Sequence, residues 1–174
     1  VYMAHFLIIA ASSSIGQATT ELLKAAGHTV FTTARDQSKI APDVILDATD
    51  FDAVERVFVE AGAIDGVVNC SGSLLLKSAA MTSREQYQAV IDASLTTAFA
   101  TVRAAGKHMT QGGSIVLISS AAAMAGLANH EAIAAAKAAI LGLTLSAAAT
   151  YASANLRINA VAPGLTETPL TASL

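Results

Sequence analysis

The stretch that most constrains this chain runs from His5 to Thr33, where apolar run, small-residue turn, helix-forming segment and second apolar run follow with no spare residues between them. His5 to Ala10 is of strand length and shows no polar alternation, as expected of a strand buried on both faces. Ala11, Ser12, Ser13, Ser14, Ile15 and Gly16 form the turn, and a helix is predicted over Gln17–Ala26, with Gly27 as its left-handed cap. Ile15, Ala18, Leu22 and Ala26 fall on one helical stripe and are the expected core face. With the apolar run His28–Thr33 this is a βαβ unit, which implies a parallel sheet. In such a unit the free N–H groups and positive end of the helix point into the turn, where a phosphate can sit; the same unit also exists without any nucleotide.

The turn resembles the opening of the short-chain dehydrogenase/reductases, whose pattern is T-G-x-x-x-G-x-G. Ile9 stands at the Thr, Ala10 and Ser14 at the first two glycines, and only Gly16 is kept. The resemblance implies that Ala10, Ser12, Ser13, Ser14, Ile15 and Gly16 line a pyrophosphate. Alanine adds a methyl group there, while serine brings a hydroxyl able to bond the phosphate. Arg35 follows the second strand with no acid before it; at this place an acid selects a free ribose 2′-hydroxyl and an Arg a 2′-phosphate. NADP(H) is therefore the expected cofactor and NAD(H) a possible one, a solvated loop arginine being the plainer reading of Arg35. Asp36–Pro42 is too short for a crossover helix, and a third strand is expected over Asp43–Leu46. Asp47-Ala48-Thr49-Asp50 resembles the family's D-V-T-D, which places Asp47 and Ala48 at the adenine, with Thr49 or Asp50 capping a helix over Phe51–Ala61.

The fourth strand, Gly66–Asn69, leads into Cys70-Ser71-Gly72, where the family has N-N-A-G. Asn69 and Gly72 match and are candidate cofactor contacts, although a buried Asn at a strand end also braces neighbouring backbone. Thr82 and Glu85 are read as a capping box for one long helix to about Met109. Within it Ser94 takes the place of the family's helix-kinking Asn, which holds a proton-relay water. Ser114–Ser120 is the fifth strand and resembles G-S-I-V-x-I-S-S, which implies that Ser120 holds a substrate carbonyl. Thirteen residues on, where the family has its tyrosine, stands Ile133, and four further stands the family's lysine, Lys137. Isoleucine neither gives nor accepts a proton. Lys137 is nonetheless a candidate for both the catalytic and the ribose-binding role. His130 shares its helix face with Ile133 and Lys137, but is read first as part of the helix start, with Asn129 as cap and Glu131 against the dipole. After a helix to about Ser153 and a sixth strand over Leu156–Val161, Pro163-Gly164 with Thr166 and Thr168 resembles P-G-x-x-x-T, implying contact with the nicotinamide carboxamide.

The alternation predicts one Rossmann-like α/β domain over 1–174. Its parallel sheet is doubly wound, six strands in the order 3-2-1-4-5-6 with helices on both faces. The family's seventh strand and substrate lid are expected to be absent. With 53% hydrophobic and only 13% charged residues, much surface must be hidden between layers or between subunits, and a homodimer or homotetramer is expected. A net charge of −3 without a basic stripe argues against nucleic acid. One cysteine and four scattered histidines argue against a metal site, and Cys70 fits a reducing compartment. No signal segment and no apolar run of membrane-spanning length is read, so a cytoplasmic protein acting on a small molecule is expected. Two functions remain: an NAD(P)(H)-dependent oxidoreductase acting on a carbonyl or alcohol, or a non-catalytic relative serving as a nucleotide-binding or scaffold protein.

Overall fold

The computed structural model describes residues 2–172. Six strands, β1 (His5–Ile9), β2 (Thr29–Ala34), β3 (Val44–Ile45), β4 (Gly66–Asn69), β5 (Gly113–Ile118) and β6 (Leu156–Val161), form one sheet ordered β3-β2-β1-β4-β5-β6. Every neighbouring pair is parallel. The order reverses between β1 and β4, which makes their carboxyl ends the switch point where open α/β sheets bind ligands. The register sets Ile9 level with Asn69 and Asn69 level with Leu117, so the segments leaving β1, β4 and β5 open on one edge.

Strand alternation assigns the two faces. Leu7, Ile9, Val67, Ile115 and Leu117 meet Val54 and Phe58 of α2 (Phe51–Ala61), Val102 of α4 (Thr97–His108) and Ile140 of α5 (Glu131–Tyr151) in the main core. Ile8 and Cys70 form the opposite cluster with Phe6, Val30, Ile15 and Leu23, the last two from α1 (Ser14–Ala25).

Several boundaries and faces differ from expectation. α1 starts at Ser14 rather than Gln17, because the Ser13 side chain accepts the Gly16 N–H and caps the helix there. Its inner face is Ile15, Gly16 and Leu23, whereas Leu22 is 72% exposed, so the stripe through Ala18, Leu22 and Ala26 was one position out of phase. β3 keeps only two residues, and Asp43 is drawn sideways instead, accepting from the Thr32 N–H and hydroxyl at 2.7 Å each. Asp50, not Thr49, caps α2. The capping box of α3 (Arg84–Ile91) pairs Ser83 with Gln86, while the Thr82 hydroxyl donates to Ser78 O. The expected single long helix is broken by a π-helical turn over Asp92–Thr96. His130, with no side-chain cap bond, occupies the N-cap of α5, and Asn129 lies before it at φ 61°. β5 ends at Ile118, leaving Ser119 and Ser120 beyond it. Contrary to the reading of apolar runs, Glu131–Ala154 is a 24-residue helical span that holds an 18-residue stretch of mean hydropathy 1.7, long and apolar enough to cross a membrane. Its inner side nevertheless packs as a core helix, burying Ala132, Ala136, Ile140 and Ala147. The expected absence of a seventh strand and a lid lies outside the described residues.

Candidate functional site

The turn after β1 is sharply bent. Ala10 adopts φ 59°, the left-handed conformation that glycine takes freely and alanine does not. That bend brings the Ser13 N–H onto Ala10 O at 3.0 Å and the Ala11 N–H onto Thr33 O at 2.8 Å. Because Ser13 Oγ accepts the Gly16 N–H, the Ser14 and Ile15 N–H groups are the ones left without a described partner at the helix start. The Ser14 side chain is exposed, and Ser12 is half-buried with its carbonyl accepting from Gln17 Nε2. Gly16 is required by contact: a Cβ there would lie 2.5 Å from Ala10 O and 2.8 Å from Ala11 Cα.

Along the same edge, Arg35 leaves the end of β2 exposed and in no ion pair among the described residues. Asp47 accepts from the Thr49 N–H at 3.0 Å and hydroxyl at 2.8 Å. Those bonds, with a smaller contribution from the Arg35 charge, hold its carboxyl below the usual range. Ala48 beside it is buried.

A second cluster gathers at the ends of β4 and β5. Asn69, 3% exposed, donates from Nδ2 to Thr101 Oγ1 at 2.9 Å and accepts the Ser71 N–H at 2.8 Å, so its amide ties β4 to α4 and to its own loop. Lys137, 6% exposed, donates from Nζ to Ile118 O at 2.7 Å. Gly72 lies against that ammonium, where an added Cβ would come within 3.3 Å of Nζ. Burial lowers the Lys137 ammonium to about 8, and the Cys70 thiol beside it is pushed up to about 12, again by burial. Ser120 Oγ accepts the Ala122 N–H at 3.2 Å and keeps its own proton for another acceptor. Ser94 sits in the π-helical turn, 1% exposed, and its Oγ has no partner. Single π turns concentrate at functional sites, and this one lies where the resemblance implies a helix kink.

Two expected contacts do not converge here. Thr166 and Thr168 fold into a local turn around the Thr171 hydroxyl and make no described hydrogen bond to Lys137, Ser120 or Asn69. Gly164 is exposed, and Pro163 joins through its carbonyl, which accepts the Ala121 N–H at 2.9 Å and ties the β6 loop to the β5 loop. Ile133 is not an open phenol site: it is 4% exposed in a cluster with Val90, Ala132 and Ala136, with Leu75 and Ile91 packed around it.

Sequence reasoning missed three residues. Ser119 Oγ donates to Lys137 O at 2.8 Å and fixes the lysine's turn of helix against β5; the tandem serines were the available signal. Thr101 anchors Asn69, and Ser73, next to Gly72, has a buried hydroxyl without a partner. Neither carried a pattern of its own.

Comparison with known proteins converges on one group. The family described as enoyl-(acyl carrier protein) reductase matches residues 9–174. The 3-oxoacyl-(acyl-carrier-protein) reductase FabG of Thermotoga maritima is 35% identical over 189 aligned positions, covering 97% of this chain and 76% of that protein. The cis-4-hydroxycyclohexanecarboxylate dehydrogenase of Sinomonas cyclohexanicum is also 35% identical, with 97% and 75% covered. Among solved structures, a short-chain type dehydrogenase/reductase from Mycobacterium ulcerans superposes with a TM-score of 0.91 at 26% identity, over 98% of this chain and 70% of the other. ElxO with NADP bound gives 0.89 at 26% identity, over 99% and 77%.

Proposed function

The chain belongs to the short-chain dehydrogenase/reductase family, and from that premise we propose that it is an NADP(H)-dependent oxidoreductase interconverting a small-molecule carbonyl and alcohol. What carries this is the placement of Lys137, an ammonium buried at the ends of β4 and β5, held on Ile118 O and lying against the side-chain-free Gly72. A buried charge with a single described acceptor is unstable without further partners, and a ribose diol would supply them. The rest of the edge fits a dinucleotide. The Ser14 and Ile15 N–H groups face the pyrophosphate, Gly16 lets helix and strand close up, and Asp47 with Ala48 takes the adenine. When bound, the cofactor supplies a hydride. Asn69 braces the strand end, Ser120 orients the substrate oxygen with its free proton, and Pro163 holds the β6 loop against the β5 loop beside it.

Arg35 supports the phosphorylated cofactor, since its exposed guanidinium can take a 2′-phosphate in two parallel bonds. ElxO, similar in fold, holds NADP. Titration of NADPH and NADH against wild type and Arg35→Ala tests this. NADPH is expected to bind more tightly, and the variant to lose roughly 1.5–3 kcal/mol, about tenfold to a hundredfold, for NADPH alone. Equal affinities of both cofactors in both proteins would remove Arg35 from the site.

One observation favours a second reading, a nucleotide-binding or scaffold protein without turnover: Ile133 is sealed into an apolar cluster at the tyrosine position. NADPH binding without reduction of any carbonyl probe would decide for it.

A further inference from the structure

We propose, resting on the oxidoreductase reading above, that Lys137 is itself the proton source for the substrate oxygen, in the place of the missing phenol. A carbonyl that takes a hydride becomes an alkoxide and needs one proton. The titratable groups around α5 are few, and the others are engaged or turned elsewhere. His130 Nδ1 lies 2.7 Å from Ala128 O at the helix start. Glu131 is exposed and accepts from the Ala79 N–H. Tyr87 is 45% exposed over a groove with Thr82, Arg84 and Glu131. Tyr151 packs on the Gly106 backbone at the far end of the helix. The Cys70 thiol is buried with Ile8 and Ala11, and that burial pushes it up to about 12, too high for a donor at neutral pH.

Lys137 remains. Its ammonium has three N–H bonds; one goes to Ile118 O, and two find no acceptor among the described residues. It stands at the switch-point edge, one turn of α5 beyond Ile133, and Ser119 fixes its backbone. Those two N–H bonds are enough to serve a ribose hydroxyl and the substrate oxygen together. Of the groups around it, Cys70 acts on its charge, while β5 and its loop present the uncharged Ile118, Ser119 and Ser120. Burial brings the ammonium to about 8, close to the operating pH, where a donor is most effective; an ordinary lysine holds its proton too tightly. In the balanced step the carbonyl carbon takes the hydride with its electron pair from the bound dihydronicotinamide, and the C=O π pair moves to oxygen. The Lys137 N–H bond breaks with its electrons left on nitrogen, and the O–H bond forms. The neutral amine then regains a proton from water.

The test uses 4-nitrobenzaldehyde as an activated carbonyl probe with saturating NADPH from pH 6 to 10, alongside NADPH binding by fluorescence and carbon-13 NMR of labelled lysine. Wild type should bind NADPH, and its kcat should fall about tenfold per pH unit above about 8, with the Lys137 resonance titrating at the same midpoint. Lys137→Arg keeps the charge but does not release a proton, so it should bind NADPH, lose about 10²–10⁴ in kcat at pH 7 and lose the alkaline limb. Overturning results are a variant with kcat within a few-fold of wild type, a kinetic midpoint more than a pH unit from the NMR midpoint, or wild type that binds NADPH and turns over nothing. The agreement of the two midpoints is read on wild type, so it stands even if the variant fails to fold. Two outcomes reach further: wild type that does not bind NADPH, or that binds it and turns over nothing, removes the oxidoreductase reading and this proposal with it, whereas the other results overturn this proposal alone.

Discussion

At the scale of single residues, burying the Lys137 ammonium works against the fold as well as serving the site. Its folded value of about 8 lies below that of the exposed chain, so between the two the unfolded state binds more protons. The penalty is therefore fully present below about pH 8 and is relieved as pH rises from there toward the ordinary lysine range. Lys137→Met keeps the length and removes the charge. Near pH 7 it should stabilise the protein, by an amount on the order of 3 kcal/mol before any repacking cost. That gain over wild type should shrink to nothing by about pH 10.5. Thermal melts of both proteins across that range measure it, and a gain independent of pH would show that burial does not change the lysine's proton affinity.

At the scale of elements, the β1–α1 turn keeps a glycine-like bend without the glycine. Alanine in the left-handed region costs about 1–2 kcal/mol, and the backbone freedom that glycine adds to the unfolded chain returns part of this. Ala10→Gly should thus stabilise by about 0.5–1 kcal/mol, roughly 1–4 °C in Tm for a chain of this size. A lower Tm would mean that the methyl group contributes packing not offset by its strain. The same scale explains why Ser94 was legible only in part. Its place opposite the family's kinking Asn could be read from Leu95 and Phe99, but a π-helical turn leaves no spacing signature in sequence. The turn lies between α3, which packs against α5, and α4, which packs against both α2 and α5.

At the scale of the whole molecule, α5 presents an outer face of Ala135, Ala138, Gly142, Leu145, Ser146 and Ala149, all exposed and none charged. Leu145 is 75% exposed, and Phe99 of neighbouring α4 is 49% exposed. A second copy of the chain packed on this face would account for the low charge content. Sedimentation at micromolar concentration is expected to give a dimer, and Leu145→Glu, which adds a charge to the middle of the face, a monomer of unchanged fold by circular dichroism. A monomeric wild type would count against the pairing.

The sequence by itself determined the parallel sheet and its elements, because apolar runs, glycines and helix breaks are local signals, while the candidate residues on the switch-point edge came from its resemblance to a family. It also placed Lys137 one turn from Ile133, since that spacing is a property of any helix. Which side chains are free to act was decided only by tertiary structure. Ser13 is spent as a cap, Thr168 is turned toward Thr171, and Ile133 is sealed by Val90 and Leu75 from other segments. The phase of α1 was settled by Ile15 and Leu23 packing with Ile8 and Val30, contacts with the two flanking strands that the helix's own spacing does not record. The lowered proton affinity of Lys137 has the same origin. Burial is a property of everything packed around a group, and no residue beside it in sequence records how much water remains.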